Sequence, residues 1–184
     1  SETTEPMTGE EVLARFELAR GPWPSVIVVP VQCNGENYGF VLDTGSTLTF
    51  YDATLRPLLG ELLDDQTART GSGMTRVEVF RAPEARFGEL ELPAGMPVGC
   101  ADLSPIREAV RQVTGKEVHG ILGMDVLRGC VLRLDFDAGA GAVLKSVGAR
   151  PDDWGMPVSL AYRRNGVPTV TAELPQGILA EFVV

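Results

Sequence analysis

The sequence predicts a mainly β domain, closed as a β-barrel, with one or two short helices. Three observations carry this. Short runs rich in β-branched and aromatic residues recur through residues 26–145, separated by Gly, Asn and Pro, the pattern of many short strands. Asn34-Gly35 stands between two apolar runs, the strongest short-range signal for a tight hairpin. Only residues 53–63 and 104–114 read as helices, the first leucine-rich, the second with apolar residues at helical spacing.

In chain order, residues 10–19 read as a helix or a strand, ending at the polar Arg20-Gly21. Residues 26–33 form a strand, Asn34-Gly35 the turn, and residues 38–42 the return strand, which delivers Asp43 at its end. Residues 47–51, rich in Thr and aromatics, predict another strand. Residues 53–63 predict a helix, limited by Pro57 and weakened by Gly60. A glycine turn at 70–73 leads into a strand over 74–82, with 86–92 as its antiparallel partner and 96–101 as a further strand. Ser104 is the expected N-cap, with Pro105 in the first turn. Ile106, Ala109, Val110 and Val113 then fall on one helical face, and Gly115 ends the helix. Residues 118–122 are a short apolar run closed by Gly123, and 131–136 with 142–145 predict a hairpin around 138–141. A polar, proline-bounded linker follows at 151–157, then further strands over 158–184 with no obvious partners.

Composition narrows the function. The 184 residues are 44% apolar, typical of a chain with a packed core. No apolar run approaches the roughly 18 residues of a membrane span. Sixteen basic against twenty-five acidic residues give a net charge of −9, which argues against a nucleic-acid groove. Three cysteines without CxxC spacing and a single histidine exclude an ordinary zinc site, so no metal and no cofactor are expected. Cys100 and Cys130 could pair in an oxidising compartment, leaving Cys33 free, or all three could be buried thiols. The polar residues 1–9 show no signal-peptide pattern and are compatible with a removed export signal. His119 has no paired nucleophile in a suitable elbow and reads as a structural histidine. Ala138-Gly139-Ala140-Gly141 is too short and misplaced for phosphate binding and reads as a turn.

The chemistry concentrates at Asp43-Thr44-Gly45-Ser46, which follows the apolar run Phe40-Val41-Leu42. About eighty residues later comes Gly120-Ile121-Leu122-Gly123, two apolar residues between glycines. With both signatures in this order and a glycine-rich hairpin between them, the sequence resembles the aspartic peptidases of bacterial type. The likeness extends to the two-lobed pepsin-like and the dimeric retroviral (retropepsin-like) enzymes, and spans roughly residues 23–145. It implies that Asp43 is the catalytic carboxylate. Thr44 would join a hydrogen-bonded grip tying two active-site loops, Gly45 would permit the tight turn, and Ser46 would bond the outer oxygen of Asp43. Ile121, Leu122 and Gly123 would pack under the active-site loop. Gly71, Ser72, Gly73 and Met74 fall where the family places its substrate flap, without the tyrosine that pepsin-like flaps carry. A peptide or protein substrate is implied, and periplasmic or secreted localisation follows by analogy with exported bacterial relatives.

One such carboxylate is half a site. Amide hydrolysis without a covalent intermediate needs a base to activate water and an acid to polarise the carbonyl; two adjacent carboxylates sharing a proton fill both roles. Asp125, Asp135 and Asp137 lie in no Asp-Thr/Ser-Gly turn, and read as cap or turn residues. Residues 170–184, however, resemble 29–42: an apolar strand, a turn with Gly, then a strand ending Phe182-Val183-Val184 where the first copy has Phe40-Val41-Leu42. The expected domains are therefore an N-terminal extension over 1–22, a peptidase-like lobe over 23–150, and the linker and first strands of a second lobe over 151–184. The second Asp would come from that second lobe in cis or from a homodimer partner. A peptide-binding module of the same fold without catalysis is the alternative.

Overall fold

A computed structural model describes residues 11–18, 26–70, 73–145, 156–175 and 178–184; for 68–70 and 73–75 only the backbone is described. The ambiguous segment near the start is a strand, β1 (Val12–Glu17). Its alternate residues Ala14 and Phe16 are buried. β2 (Val28–Cys33) and β3 (Glu36–Leu42) form the expected hairpin. Its turn residues have positive φ, 51° at Asn34 and 84° at Gly35, the backbone that two-residue hairpins require and Asn-Gly supplies. β4 (Phe50–Asp52) is shorter than the sequence suggested, because Thr47, Leu48 and Thr49 belong to the loop after Asp43.

A 3-10 helix (Ala53–Leu58) follows. It stops before Leu62 and Leu63, which instead begin β5 (Leu62–Thr70). Pairing with β6 (Gly73–Arg81) overrides the helical propensity of those leucines. Residues 85–92 do not pair with β6, as their alternation suggested. They fold on themselves as β7 (Ala85–Phe87) and β8 (Leu90–Leu92), and the other neighbour of β6 is β9 (Pro97–Ala101). Helix α1 (Ser104–Thr114) ends at Gly115, whose φ of 70° is the left-handed cap conformation. Its N-cap is Leu103 rather than Ser104, and Asp102 Oδ1 accepts from the Ser104 amide (2.9 Å).

β10 (Gly120–Leu122) leads into the single turn α2 (Met124–Leu127), then β11 (Cys130–Asp135) and β12 (Ala140–Lys145). β1, β12 and β11 make one sheet. A nine-stranded sheet runs β5-β6-β9-β4-β10-β3-β2-β7-β8, with β5 and β8 at its ends. The tail builds its own sheet from β13 (Ala161–Tyr162), β14 (Pro168–Leu174) and β15 (Ile178–Val183), in that order. Of the expected linker, residues 151–155 lie outside the described residues.

The placement of β10 organises the site. It lies between β3 and β4, parallel to β3 (Gly120↔Phe40, Leu122↔Leu42) and antiparallel to β4 (Gly120↔Tyr51). The chain leaving β3 at Asp43 must therefore loop over the end of β10 to reach β4. Gly120 permits this insertion: a Cβ there would lie 2.2 Å from the Phe40 ring and 2.5 Å from the Phe50 carbonyl oxygen. Val29, Val31, Phe40, Tyr51, Leu122 and Val143 fill the core beneath, with Phe40 and Tyr51 packed edge to face at 5.1 Å.

Candidate active site

Asp43 sits half-buried at the end of β3, and its amide donates to the Leu122 carbonyl (3.0 Å). The turn that follows is closed by the Ser46 amide donating to the Asp43 carbonyl (3.2 Å). The Gly45 amide donates to Asp43 Oδ1 (2.8 Å). A hydrogen bond from its own turn thus orients the carboxylate. A Cβ on Gly45 would approach that same oxygen to 3.1 Å, which is why the smallest residue suits this place.

The Thr44 hydroxyl donates to the Val184 carbonyl, in a short hydrogen bond that spans 140 residues of sequence. Val183 flanks the turn from the same side, 3.5 Å from where a Gly45 Cβ would stand. The resemblance assigned Ser46 to the outer oxygen of Asp43, but its hydroxyl instead donates to the Leu48 carbonyl (2.7 Å). The acceptor it takes is local, two residues on in the same loop.

Leu122 is fully buried in the main core, while Ile121 packs with Phe50 against Val77, Val79, Ala101 and Leu103. Gly123 lies against the active-site loop itself, where a Cβ would meet the Leu48 carbonyl oxygen at 2.6 Å. The Met124 amide donates to the Ser46 carbonyl (2.8 Å). The second signature therefore sits against the first, through main-chain bonds and close packing.

Gly71 and Ser72 lie outside the described residues. Gly73 and Met74 begin β6, opposite Thr70 and Arg69. The arms of this hairpin carry ion pairs: Arg76 grips Asp65 with both Nε (2.9 Å) and Nη2 (2.5 Å), and Arg56 reaches Glu78 (3.0 Å) from the 3-10 helix. The hydrogen bond from Arg76 is the main reason that the Asp65 carboxyl is held below its usual range.

Two carboxylates have structural roles, one at Asp52, which the sequence left unassigned, and one at Asp125. Asp52 is 1% exposed. It accepts from the Thr54 hydroxyl (2.6 Å) and amide (3.1 Å), the Leu103 amide (3.0 Å) and Arg107 Nη1 (3.1 Å). Burial alone would raise its pKa, but these bonds and the Arg107 charge outweigh burial and hold it below the ordinary value. Asp125, read from sequence as a cap or loop residue, does accept from the Val126 amide (3.0 Å) in the first turn of α2. It also receives the amide and hydroxyl of Thr49, both at 2.8 Å. The spacing Asp52-x-Thr54 was a signal for the first site; 76 residues separate Asp125 from Thr49, and no local pattern announces that pair.

All three cysteines are free thiols. Among the described residues no group of three His, Cys, Asp or Glu side chains converges as a metal site, and no helix is long and apolar enough to cross a membrane.

A family model described as aspartyl protease matches residues 29–126, which spans both glycine-bearing signatures. Among solved structures the chain is similar to a retropepsin-like aspartic protease from Rickettsia conorii. The identity is 18%, the match covers 70% of this chain and 98% of that one, and the TM-score is 0.47. No curated protein matches the chain in sequence.

Proposed function

This chain belongs to the aspartyl protease family, and from that membership we propose that it carries the Asp43 half of an aspartic endopeptidase site. Asp43 and a second carboxylate share a proton, activate a water between them and direct it at a peptide carbonyl. The ionised partner takes the water's proton and the protonated one polarises the carbonyl oxygen, so the pair works as a unit. Gly71, Ser72, Gly73 and Met74 act as the flap over a peptide or protein substrate. No metal or cofactor takes part in this scheme.

The observation that carries the proposal is the contact between Thr44 and Val184, read together with strand register. In the first hairpin Val29 pairs with Phe40, and the Leu42 amide donates to the Ile27 carbonyl (2.9 Å). In the tail hairpin Val170 pairs with Phe182, and the Val184 amide donates to the Pro168 carbonyl (3.2 Å). With Val29 set against Val170, Val184 stands where Leu42 stands. Leu42 is the residue that delivers Asp43, so β15 aims its equivalent position at the Asp43 turn. This supports a second lobe in cis, whose own Asp follows Val184.

A homodimer would bring together two copies of Asp43 on a two-fold axis. In that arrangement a partner's Leu42 carbonyl would face Thr44, and Val184 already fills that place, which favours the arrangement in cis. The intact turn, with Asp43 Oδ1 held by the Gly45 amide, favours a working site over a binding module without catalysis.

The test is cleavage of a peptide library by the full-length protein across acidic to neutral pH, beside Asp43→Asn. Loss of cleavage in the variant, and inhibition of the parent by a statine-type transition-state mimic, are expected. Cleavage untouched by Asp43→Asn refutes the proposal. A natural coding sequence without Asp-x-Gly shortly after Val184 refutes the second lobe, and sedimentation as a dimer would then point to the symmetric site.

A further inference from the structure

The loop that carries Asp43 is pinned at three places, all of them to residues 122–125. Its first residue is held by the bond from the Asp43 amide to the Leu122 carbonyl, and its middle by the Met124 amide on the Ser46 carbonyl. Its last residue, Thr49, is only 1% exposed. There the fastening differs in kind, because the acceptor is a carboxylate.

Asp125 spends one oxygen on the Thr49 amide and the other on the Thr49 hydroxyl, both at 2.8 Å. Relieved of donating elsewhere, that hydroxyl accepts the Gly123 amide at 3.1 Å. The Thr49 carbonyl meanwhile accepts the Gly99 amide (2.9 Å). Every polar group of Thr49 is therefore engaged, two of them by one anion. Hydrogen bonds to an ionised acceptor are roughly twice as strong as neutral ones. Beside this carboxylate lies a small hollow lined by Tyr51, Ala82, Leu92, Pro93, Met96 and Val98. The burial of Thr49 itself limits water's competition for those bonds.

We propose that Asp125 is a positioning residue for peptide cleavage: its carboxylate fixes the end of the active-site loop through Thr49, and thereby sets where Asp43 stands. Asp125 itself touches neither water nor substrate in the reaction. The inference rests on Asp43 being the reacting carboxylate, and it adds a second acid with a different duty. Asparagine keeps part of this geometry: its oxygen would accept the Thr49 amide and its NH2 group donate to a reoriented hydroxyl, but that NH2 would face the Val126 amide, which donates to the same Asp125 oxygen as the hydroxyl.

The experiment compares the full-length protein with Asp125→Ala, Asp125→Asn and Thr49→Val, well below their melting temperatures. Asp125→Ala should lower kcat by about 10- to 100-fold with KM unchanged, the range set by a misplaced reacting group. Asp125→Asn should recover only part of that loss, and Thr49→Val should resemble Asp125→Ala. A wild-type kcat in Asp125→Ala, or no rescue by asparagine, overturns the proposal. Should Asp125→Ala fail to fold, Thr49→Val decides by the same criterion.

A second readout needs no activity. Amide hydrogen exchange on the chain should speed up at Gly45 and Ser46 in Asp125→Ala and Thr49→Val, and not in the β1–β12 ladder. Acceleration confined to Thr49 overturns the positioning role. If Asp43→Asn cleaves like the parent, the protease reading fails by its own test, while exchange at Gly45 and Ser46 still decides whether Asp125 holds the loop.

Discussion

Consider adding one methyl group beneath the active site, in Gly123→Ala. The backbone at Gly123 has φ −98° and ψ −175°, which any residue adopts, so conformational strain plays no part. Space decides instead. The new Cβ would stand 2.6 Å from the Leu48 carbonyl oxygen and 2.7 Å from its carbon. That is about 0.8 Å short of an ordinary contact for the oxygen. A carbonyl cannot swing aside like the end of a long side chain. This one also accepts the Ser46 hydroxyl, and the next residue is clamped by Asp125. The loop must rise as a unit and carry Asp43 with it. Overpacking of this kind costs about 1–3 kcal/mol, which for a chain of this length lowers Tm by roughly 2–12 °C. A displacement near 1 Å at a reacting group costs on the order of 100-fold in rate, so kcat should fall by somewhat less than that. Thermal denaturation and cleavage of a fluorogenic peptide read both effects. Gly115→Ala is the control: its φ is 70° with nothing near its Cβ, so it should cost about 1–2 kcal/mol and leave kcat alone. Wild-type Tm and kcat in Gly123→Ala would refute the claim that this glycine spaces the loop.

Three further outcomes follow from the same contacts. Thr44→Val removes the donor to the Val184 carbonyl and should cost about 0.5–1.5 kcal/mol, with faster hydrogen exchange in β15; unchanged exchange there would refute the tie. Asp52→Asn strips Arg107 of its anion and should cost about 1–3 kcal/mol at neutral pH. Because Asp52 is held below its ordinary pKa in the fold, the unfolded chain binds its proton first. Its contribution is therefore present above the usual carboxylate range and lost as pH falls through the depressed native value. Denaturant melts should show wild-type stability declining below about pH 4, and Asp52→Asn declining less. Burial pushes the Cys100 thiol up to about 11 and raises Cys33 and Cys130 as well. Alkylation at pH near 8 should thus reach the half-buried Cys130 first, and Cys33 and Cys100 only after unfolding, as mass spectrometry of the labelled peptides would show.

What could be read before any coordinates were seen was local. The Asn34-Gly35 hairpin was legible because its positive φ angles belong to those two residue types. Asp43 could be placed at a strand end because an apolar run feeds it, and Gly115 could be placed at a helix end for the same kind of reason. The likeness of residues 29–42 and 170–184 was legible as pattern, and each segment lies in an antiparallel hairpin.

Partner choice was not legible, because it is settled by competition among segments far apart in sequence. Residues 85–92 alternate equally well as a partner of β6 or as a hairpin of their own; what separates the two is long-range, β9 lying beside β6 and β7 pairing with β2. Leu62 and Leu63 favour a helix in isolation, yet the β6 ladder holds them in a strand. The resemblance offered the Ser46 hydroxyl an oxygen of Asp43, and only the loop's final path shows that the Leu48 carbonyl takes it. By itself the sequence determined that a carboxylate would stand at the end of β3 in a turn needing Gly45. Tertiary structure alone decided what holds it there: β10 wedged between β3 and β4, Asp125 reaching across 76 residues to Thr49, and Val184 brought to Thr44. Turn and strand preferences act over a few neighbouring residues, whereas those contacts exist only once strands distant in sequence have assembled.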